Sequence, residues 1–350
     1  MSQFYTLQIK DIHRETDKAV TISFNVPKKL IDAFSFKAGQ YITLKSNIDG
    51  EEVRRDYSLC SSPKSGELKV AVKEVKDGTF SSYANQVLKA GDCLEVAPPK
   101  GRFIFEPNDS KTKNIALFAA GSGITPVLSI IKCALEEEKY SKIILVYGNK
   151  TTQDTMFLNE LLDLQHQYSN RFSIQFVFSQ ADEDNAVFGR IEKSTVNYVM
   201  KNKYKHIDVD AYYICGPEEM IHAVKAVLTE HGIANERIHF ELFKAAKQED
   251  FKEEVASGKT KVTIMLDDEE STFEMLNKQS VLEAALDEDL DAPYSCQGGI
   301  CSSCLARLKE GKVKMRQNNI LTDSEVAEGL ILTCQSHPLT PTIYVDYDDI

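Results

Sequence analysis

Fifteen residues constrain this chain more than any others: Asp291-Ala-Pro-Tyr-Ser-Cys-Gln-Gly-Gly-Ile-Cys-Ser-Ser-Cys-Leu305. Cys296, Cys301 and Cys304 stand at C-x4-C-x2-C spacing, and Cys334 follows thirty positions after Cys304. Four thiols in that pattern suit a 2Fe–2S cluster, which needs four thiolates for its irons and backbone N–H donors around its bridging sulfides. Gly298 and Gly299 let the loop curl with its amides inward. Ser302 and Ser303 are small enough for the backbone to come close, and Cys334 closes the site from another part of the fold. A zinc ribbon wants two C-x2-C pairs, and only one is present. Disulfides would imply an oxidising compartment.

At 350 residues the chain has room for two or three domains. With 42% hydrophobic residues it can build cores, and its 17 Gly and 10 Pro give no sign of long disorder. The start, Met-Ser-Gln-Phe-Tyr-Thr-Leu, has no basic stretch before an apolar run, so no secretory signal is expected. No apolar run reaches the length of a membrane span. A cytoplasmic protein is expected, with Cys60, Cys93, Cys133 and Cys215 as free thiols. The net charge of −12 is uneven: residues 258–350 carry 8 Lys and Arg against 17 Asp and Glu. That field disfavours nucleic acid and favours a basic protein partner, although solubility alone also accounts for it.

Residues 1–110 read as β structure, with short, partly alternating runs at 6–13, 19–26, 40–45 and 68–75. Asp49-Gly50 and Ser65-Gly66 mark turns between them. One helix, near 82–88, interrupts. This pattern predicts a small antiparallel β-barrel. Residues 111–243 alternate strand and helix. Strands are expected at 114–120, 142–147, 172–178, 211–215 and 237–242, and helices at 126–138, 155–165, 192–200 and 218–231. That alternation predicts an α/β doubly wound parallel sheet. Residues 244–258 are charged, lack an apolar face and read as a linker. Residues 259–350 form an α+β unit, with strands at 261–266, 271–275, 305–308 and 342–346 and a helix at 280–286.

Arg55 and Tyr57 stand two apart on a strand and so share a face. A flavin needs a flat partner for its ring and a cation for its diphosphate, and these two residues supply both. The Ser58 hydroxyl would then reach the redox-active nitrogen edge. Alone, the pair is more often a surface cation–π contact. Gly78-Thr79-Phe80-Ser81-Ser82 opens the helix of this region. A helix start offers free amides to a phosphate, or is an ordinary Ser-capped helix.

Together these motifs mark a family. The chain resembles the ferredoxin–NADP reductase superfamily, in particular the three-domain oxygenase reductases with a C-terminal plant-type 2Fe–2S ferredoxin domain of β-grasp fold. Within them it is most similar to the phenylacetyl-CoA epoxidase reductases, with ketosteroid hydroxylase reductases next. The resemblance covers nearly the whole chain. It implies that Arg55, Tyr57 and Ser58 bind the flavin, and that Gly78 and Ser81, with Ser82 beside them, bind a diphosphate, which favours FAD over FMN. It implies that Gly121-Ser122-Gly123-Ile124-Thr125-Pro126 takes NAD(P)H, through Gly121, Gly123, Thr125 and Pro126. Read from residues alone, that stretch is a glycine turn between strand and helix, short of the full G-x-G-x-x-G fingerprint. Cys215-Gly216-Pro217 is implied to lie beside the nicotinamide, where residues alone give a small core thiol. Glu241 and Phe243 match the family's closing Glu-x-aromatic, implying a carboxylate that supports hydride transfer and a ring that covers the flavin. An amphipathic final strand is the other reading.

The family often places Ser-Arg after the third strand of the nucleotide domain, where this chain has Ser179-Gln180. Lys150 or Arg190 could substitute, so NADP(H) is expected, with NADH possible. The implied activity is electron transfer from NAD(P)H through FAD and the cluster to a protein acceptor, an oxygenase component. A stand-alone reductase of small molecules and a non-enzymatic redox sensor remain open on residues alone.

Overall fold

The computed structural model describes residues 3–108, 112–243 and 258–350. They divide into two compact units, Tyr5–Phe243 and a second made of residues 258–350 with residues 3–4. The expected linker lies outside the described residues, apart from Gly258.

The first unit begins with β1 (Tyr5–Thr16), β2 (Ala19–Asn25), β3 (Tyr41–Ile48), β4 (Glu51–Ser58), β5 (Leu68–Lys73), helix α1 (Thr79–Gln86) and β6 (Cys93–Val96). The strands pair antiparallel in the order β4-β3-β6-β1-β2-β5. The two outer strands meet again through a bridge between Leu59 and Val70, which closes the sheet into the expected barrel. Alternation sends Leu7, Ile9, Ile22, Leu44, Val70 and Val96 inward, and α1 adds Phe80 and Ala84 to that core.

The same unit continues with β7 (Asn114–Ala120), α2 (Ile124–Glu137), β8 (Lys142–Asn149), α3 (Leu158–Gln167), β9 (Phe172–Phe178), β10 (Val187–Phe188), α4 (Lys193–Tyr198), β11 (Ala211–Cys215), α5 (Glu218–Glu230) and β12 (Ile238–Glu241). These strands are all parallel, in the order β10-β9-β8-β7-β11-β12. Ile115 to Ala119 are fully buried, as a sheet covered on both faces requires. From β7 the chain winds first toward β8 and later toward β11. The carboxyl ends of β7 and β11 therefore flank the switch point where such sheets bind ligands. Barrel and sheet pack as one body. Phe103 and Phe105 meet Tyr213 edge-on at 5.5 and 6.0 Å. Ser129 Oγ donates to the Ser61 carbonyl at 2.7 Å, and Lys132 Nζ to the Cys60 carbonyl at 3.0 Å.

The second unit contains β13 (Lys259–Leu266), β14 (Glu269–Leu276), α6 (Val281–Asp287), β15 (Leu305–Glu310), β16 (Val313–Met315), α7 (Asp323–Ala327), β17 (Leu330–Leu332), β18 (Ser336–Pro338) and β19 (Thr342–Asp346). Five strands form a mixed sheet, β14-β13-β19-β15-β17, with β13 and β19 parallel, and β16 pairs with β18. A capping box starts α6: Ser280 Oγ accepts the Glu283 amide at 3.1 Å, and Glu283 accepts the Ser280 amide at 2.8 Å. The helix buries Val281, Leu282, Ala284 and Ala285 in a core shared with the sheet. A mixed sheet packed around one helix is the expected β-grasp arrangement.

Candidate active site and cluster loop

Strand β4 delivers the first group of residues. Arg55 is exposed, and its Nη1 donates to the Arg54 carbonyl at 2.7 Å. Tyr57 is half-buried, its ring 5.5 Å from that of Phe80 on α1. Ser58 is buried, and its Oγ donates to Glu241 Oε2 at 3.2 Å across 183 positions of sequence. Glu241 in turn is the register partner of Cys215, at the carboxyl ends of β12 and β11. The structure thus brings together Ser58, Cys215 and Glu241, from barrel and sheet.

Their electrostatics follow from burial. Desolvation pushes the Glu241 carboxyl up to about 8; the Ser58 hydrogen bond opposes this and the Asp56 charge adds to it. Glu241 is therefore mostly protonated at neutral pH. The Cys215 thiol is held well above its ordinary range by burial and by the nearby Glu241, so it stays a thiol.

The glycine loop meets this group from the side. Gly121–Gly123 makes one 3₁₀ turn before α2. A β-carbon on Gly123 would stand 2.1 Å from the Cys215 carbonyl oxygen and 2.8 Å from the Gly216 amide nitrogen, so only glycine lets the two turns cross this closely. Pro217 caps α5. Thr125 and Pro126 are buried in the first turn of α2, and Thr125 Oγ1 donates to the Ser122 carbonyl at 3.0 Å, so they shape the loop from behind. Two neighbours complete the loop. Tyr147 Oη donates to the Gly121 carbonyl at 3.1 Å. Lys73 Nζ lies 3.8 Å from the place of a Gly121 β-carbon, half-buried, its pKa lowered by desolvation. Lys73 merely ends a strand, and only the tertiary contact identifies it.

At the start of α1, Ser81 Oγ donates to the Gly78 carbonyl at 3.1 Å and accepts the Val75 amide at 3.2 Å. The Ser82 amide donates to the Gly78 carbonyl at 2.9 Å. The Ser81 hydroxyl thus ties the turn, while the first-turn amides of the helix have no carbonyl one turn back to bond. The helix starts at Thr79, earlier than expected. Phe243 is the last described residue of this unit and is exposed. Near the far edge of the sheet, Ser179, Phe188, Arg190, Glu192 and Tyr198 line an open groove, and the Gln180 amide donates to the Lys150 carbonyl at 2.9 Å.

In the second unit the four cysteines pair. Cys301 Sγ lies 3.0 Å from Cys296 Sγ, and the Gly298 amide donates to Cys296 Sγ at 3.3 Å. Cys304 and Cys334 interact as the other pair, both buried. The Cys301 hydrogen bond and the amides of Gly298, Ile300 and Cys301 lower the Cys296 pKa to about 6. Gln297 and Gly299 adopt positive φ, which turns these amides toward the sulfur. Thr333 Oγ1 donates to the Cys304 carbonyl at 3.0 Å, and Gln335 Nε2 to the Gln297 carbonyl at 2.8 Å, joining the two cysteine segments. The buried Ser295 hydroxyl beside Cys296 has no hydrogen-bond partner. Two thiol pairs, inward amides and a spare hydroxyl donor fit a 2Fe–2S cluster, in which each iron takes two thiolates. Among the described residues no three His, Cys, Asp or Glu converge as single-metal ligands.

These features define a pyridine-nucleotide oxidoreductase that joins a flavin barrel, a nucleotide sheet and a ferredoxin domain. Comparison with known proteins agrees. Residues 6–105 match an oxidoreductase FAD-binding domain, 117–226 an oxidoreductase NAD-binding domain, and 264–339 a 2Fe-2S iron-sulfur cluster binding domain. The chain is 38% identical to a component of the 1,2-phenylacetyl-CoA epoxidase of Escherichia coli (strain K12), over 99% of each chain. It is 32% identical to the ferredoxin reductase component of 3-ketosteroid-9-alpha-monooxygenase from Rhodococcus rhodochrous, over 99% of this chain and 97% of that one. In fold it resembles phthalate dioxygenase reductase, with a TM-score of 0.61 and 24% identity over 98% of each chain. The chain belongs to the three-domain oxygenase reductases, with FAD-binding, NAD-binding and 2Fe–2S domains in one polypeptide.

Proposed function

We propose that this chain is the reductase component of a phenylacetyl-CoA epoxidase-type oxygenase, passing electrons from NADPH through FAD and the 2Fe–2S cluster to that partner. The observation that carries the reading is the meeting of Ser58, Cys215 and Glu241 at the switch point of the sheet. The full-length likeness to an epoxidase component supports the choice of partner. The chemistry that the bound cofactors supply is acceptance of a hydride by the flavin and release of its electrons singly to the cluster.

The residues bind, orient and hold protons. Tyr57 offers a ring face to the flavin, Arg55 a cation to its diphosphate, and Gly78, Ser81 and Ser82 the turn and first amides of α1. Gly121, Gly123, Thr125 and Pro126 form the loop on which the nucleotide pyrophosphate rests, with Lys73 as its cation. Gly216 and Pro217 continue this surface, and Phe243 would cover the flavin. Cys215 would sit beside the nicotinamide as a neutral thiol. Glu241 keeps its proton and accepts a hydrogen bond from the Ser58 hydroxyl, so this corner would present no fixed negative charge to an arriving hydride. Cys296, Cys301, Cys304 and Cys334 hold the cluster.

Lys150 and Arg190, both exposed at the carboxyl edge, supply the cations that Gln180 does not, which favours NADPH. The domains divide after residues 110, 243 and 258. No disulfide joins any of the eight cysteines, all of them described, which suits a reducing cytoplasm. Among the described residues no helix is long and apolar enough to cross a membrane.

The test mixes the purified holoprotein with the oxygenase component of a phenylacetyl-CoA epoxidase. NADPH-dependent consumption of phenylacetyl-CoA that requires both proteins supports the reading. Fast reduction of small acceptors without any transfer to that oxygenase would favour a stand-alone reductase instead.

A further inference from the structure

Helix α1 has only eight residues, and helices this short are marginal on their own. What holds it in place therefore bears on any ligand at its amino end. Phe80 and Ala84 anchor its apolar face in the barrel. Its carboxyl end is held by one buried side chain. Asn85 Nδ2 donates to the Val72 carbonyl on β5 at 3.1 Å and to the Ser81 carbonyl at 2.9 Å. Its Oδ1 accepts from Arg14 Nη1 at 2.9 Å, and its backbone carbonyl accepts from Arg14 Nη2 at 2.6 Å. Arg14 stands on β1 and is exposed, yet its guanidinium fork closes on both groups at once. A cation there also complements the negative end of the helix. From Asn85 the bonds run on through Ser81, whose hydroxyl holds Gly78 and Val75. One polar chain thus links Arg14 to the turn that opens α1.

We propose that Arg14 and Asn85 are positioning residues for the FAD diphosphate. They touch no part of the cofactor. By fixing the helix along its axis they set where its first-turn amides stand, and hence the affinity for phosphate. Ring binding at Tyr57 does not depend on the clamp. The proposal rests on the reading that α1 takes the diphosphate.

Asn85 is buried and its variants can misfold, so the exposed Arg14 carries the test. Full-length protein with its cluster, stripped of flavin, is titrated with FAD and with riboflavin, which keeps the ring and lacks phosphate. Wild type is expected to bind FAD far more tightly. Arg14→Met is expected to weaken FAD about tenfold, equivalent to ~1.4 kcal/mol, and to leave riboflavin unchanged. Arg14→Lys, which keeps the charge without the fork, should fall between. An unchanged FAD affinity overturns the proposal, and so does an equal loss for both ligands, the sign of a general brace of the fold. If wild type binds riboflavin as tightly as FAD, the diphosphate reading itself falls, and the clamp with it.

Discussion

Glu241 is the residue that most clearly ties environment to chemistry. Its folded pKa of about 8 lies above the ordinary 4.5, so the folded state holds a proton that the unfolded chain has released. Stability is then greatest below the ordinary value and falls as pH rises toward about 8. Glu241→Gln keeps the hydrogen-bonding shape and removes the ionisation, so its unfolding free energy should be flatter across that window. Parallel urea titrations of both proteins check this; equal slopes would show that Glu241 is not desolvated. Gly123→Ala forces a β-carbon onto the Cys215 carbonyl, and overpacking of this kind costs about 1–3 kcal/mol. A lowered Tm with loss of NAD(P)H binding is expected. The meeting of Cys296, Cys301, Cys304 and Cys334 was legible from their spacing alone. Ser58 was read from its place on the strand, whereas Cys215 and Glu241 were reached only through family resemblance, because nothing in the local sequence announces a contact across 183 positions.

Elements were legible where their period was long. The five expected strands of the parallel sheet appear within a few residues of their predicted ends, because each is a short run rich in apolar residues and bounded by turns. Misplaced edges have local causes. Helix α3 starts at Leu158 rather than 155 because Phe157 takes a left-handed conformation, φ 59°. Helix α1 starts before Ser82 because Gly78 precedes it, so both serines fall inside its first turn. The expected helix at 192–200 is α4 followed by a π turn, Val199–Lys203. Short pieces such as β6, β10, β16 and α7 carry too few residues to show any period, and only tertiary pairing reveals them. The capping box of α6 offers a test at this scale. Ser280→Ala removes one of its two bonds and should cost about 1 kcal/mol. Thermal unfolding followed through the cluster absorbance checks it, and an unchanged Tm would mean the helix is held by packing alone.

At the scale of the whole molecule, the fold class was legible because three different hydrophobic patterns follow one another along the chain. The charge follows the same division, with the acidic excess in residues 258–350. If that field steers a basic partner, turnover with the oxygenase should fall as salt rises, while reduction of a neutral small acceptor should not. One polypeptide is expected to turn a hydride into single electrons for a protein acceptor. The direct measurement is anaerobic addition of NADPH, and separately NADH, to the holoprotein while its visible spectrum is followed. Loss of flavin absorbance together with cluster bleaching, faster with NADPH, is the predicted result. A flavin that is reduced beside a cluster that stays oxidised would contradict the electron path, and a spectrum that neither nucleotide changes would contradict the reductase itself.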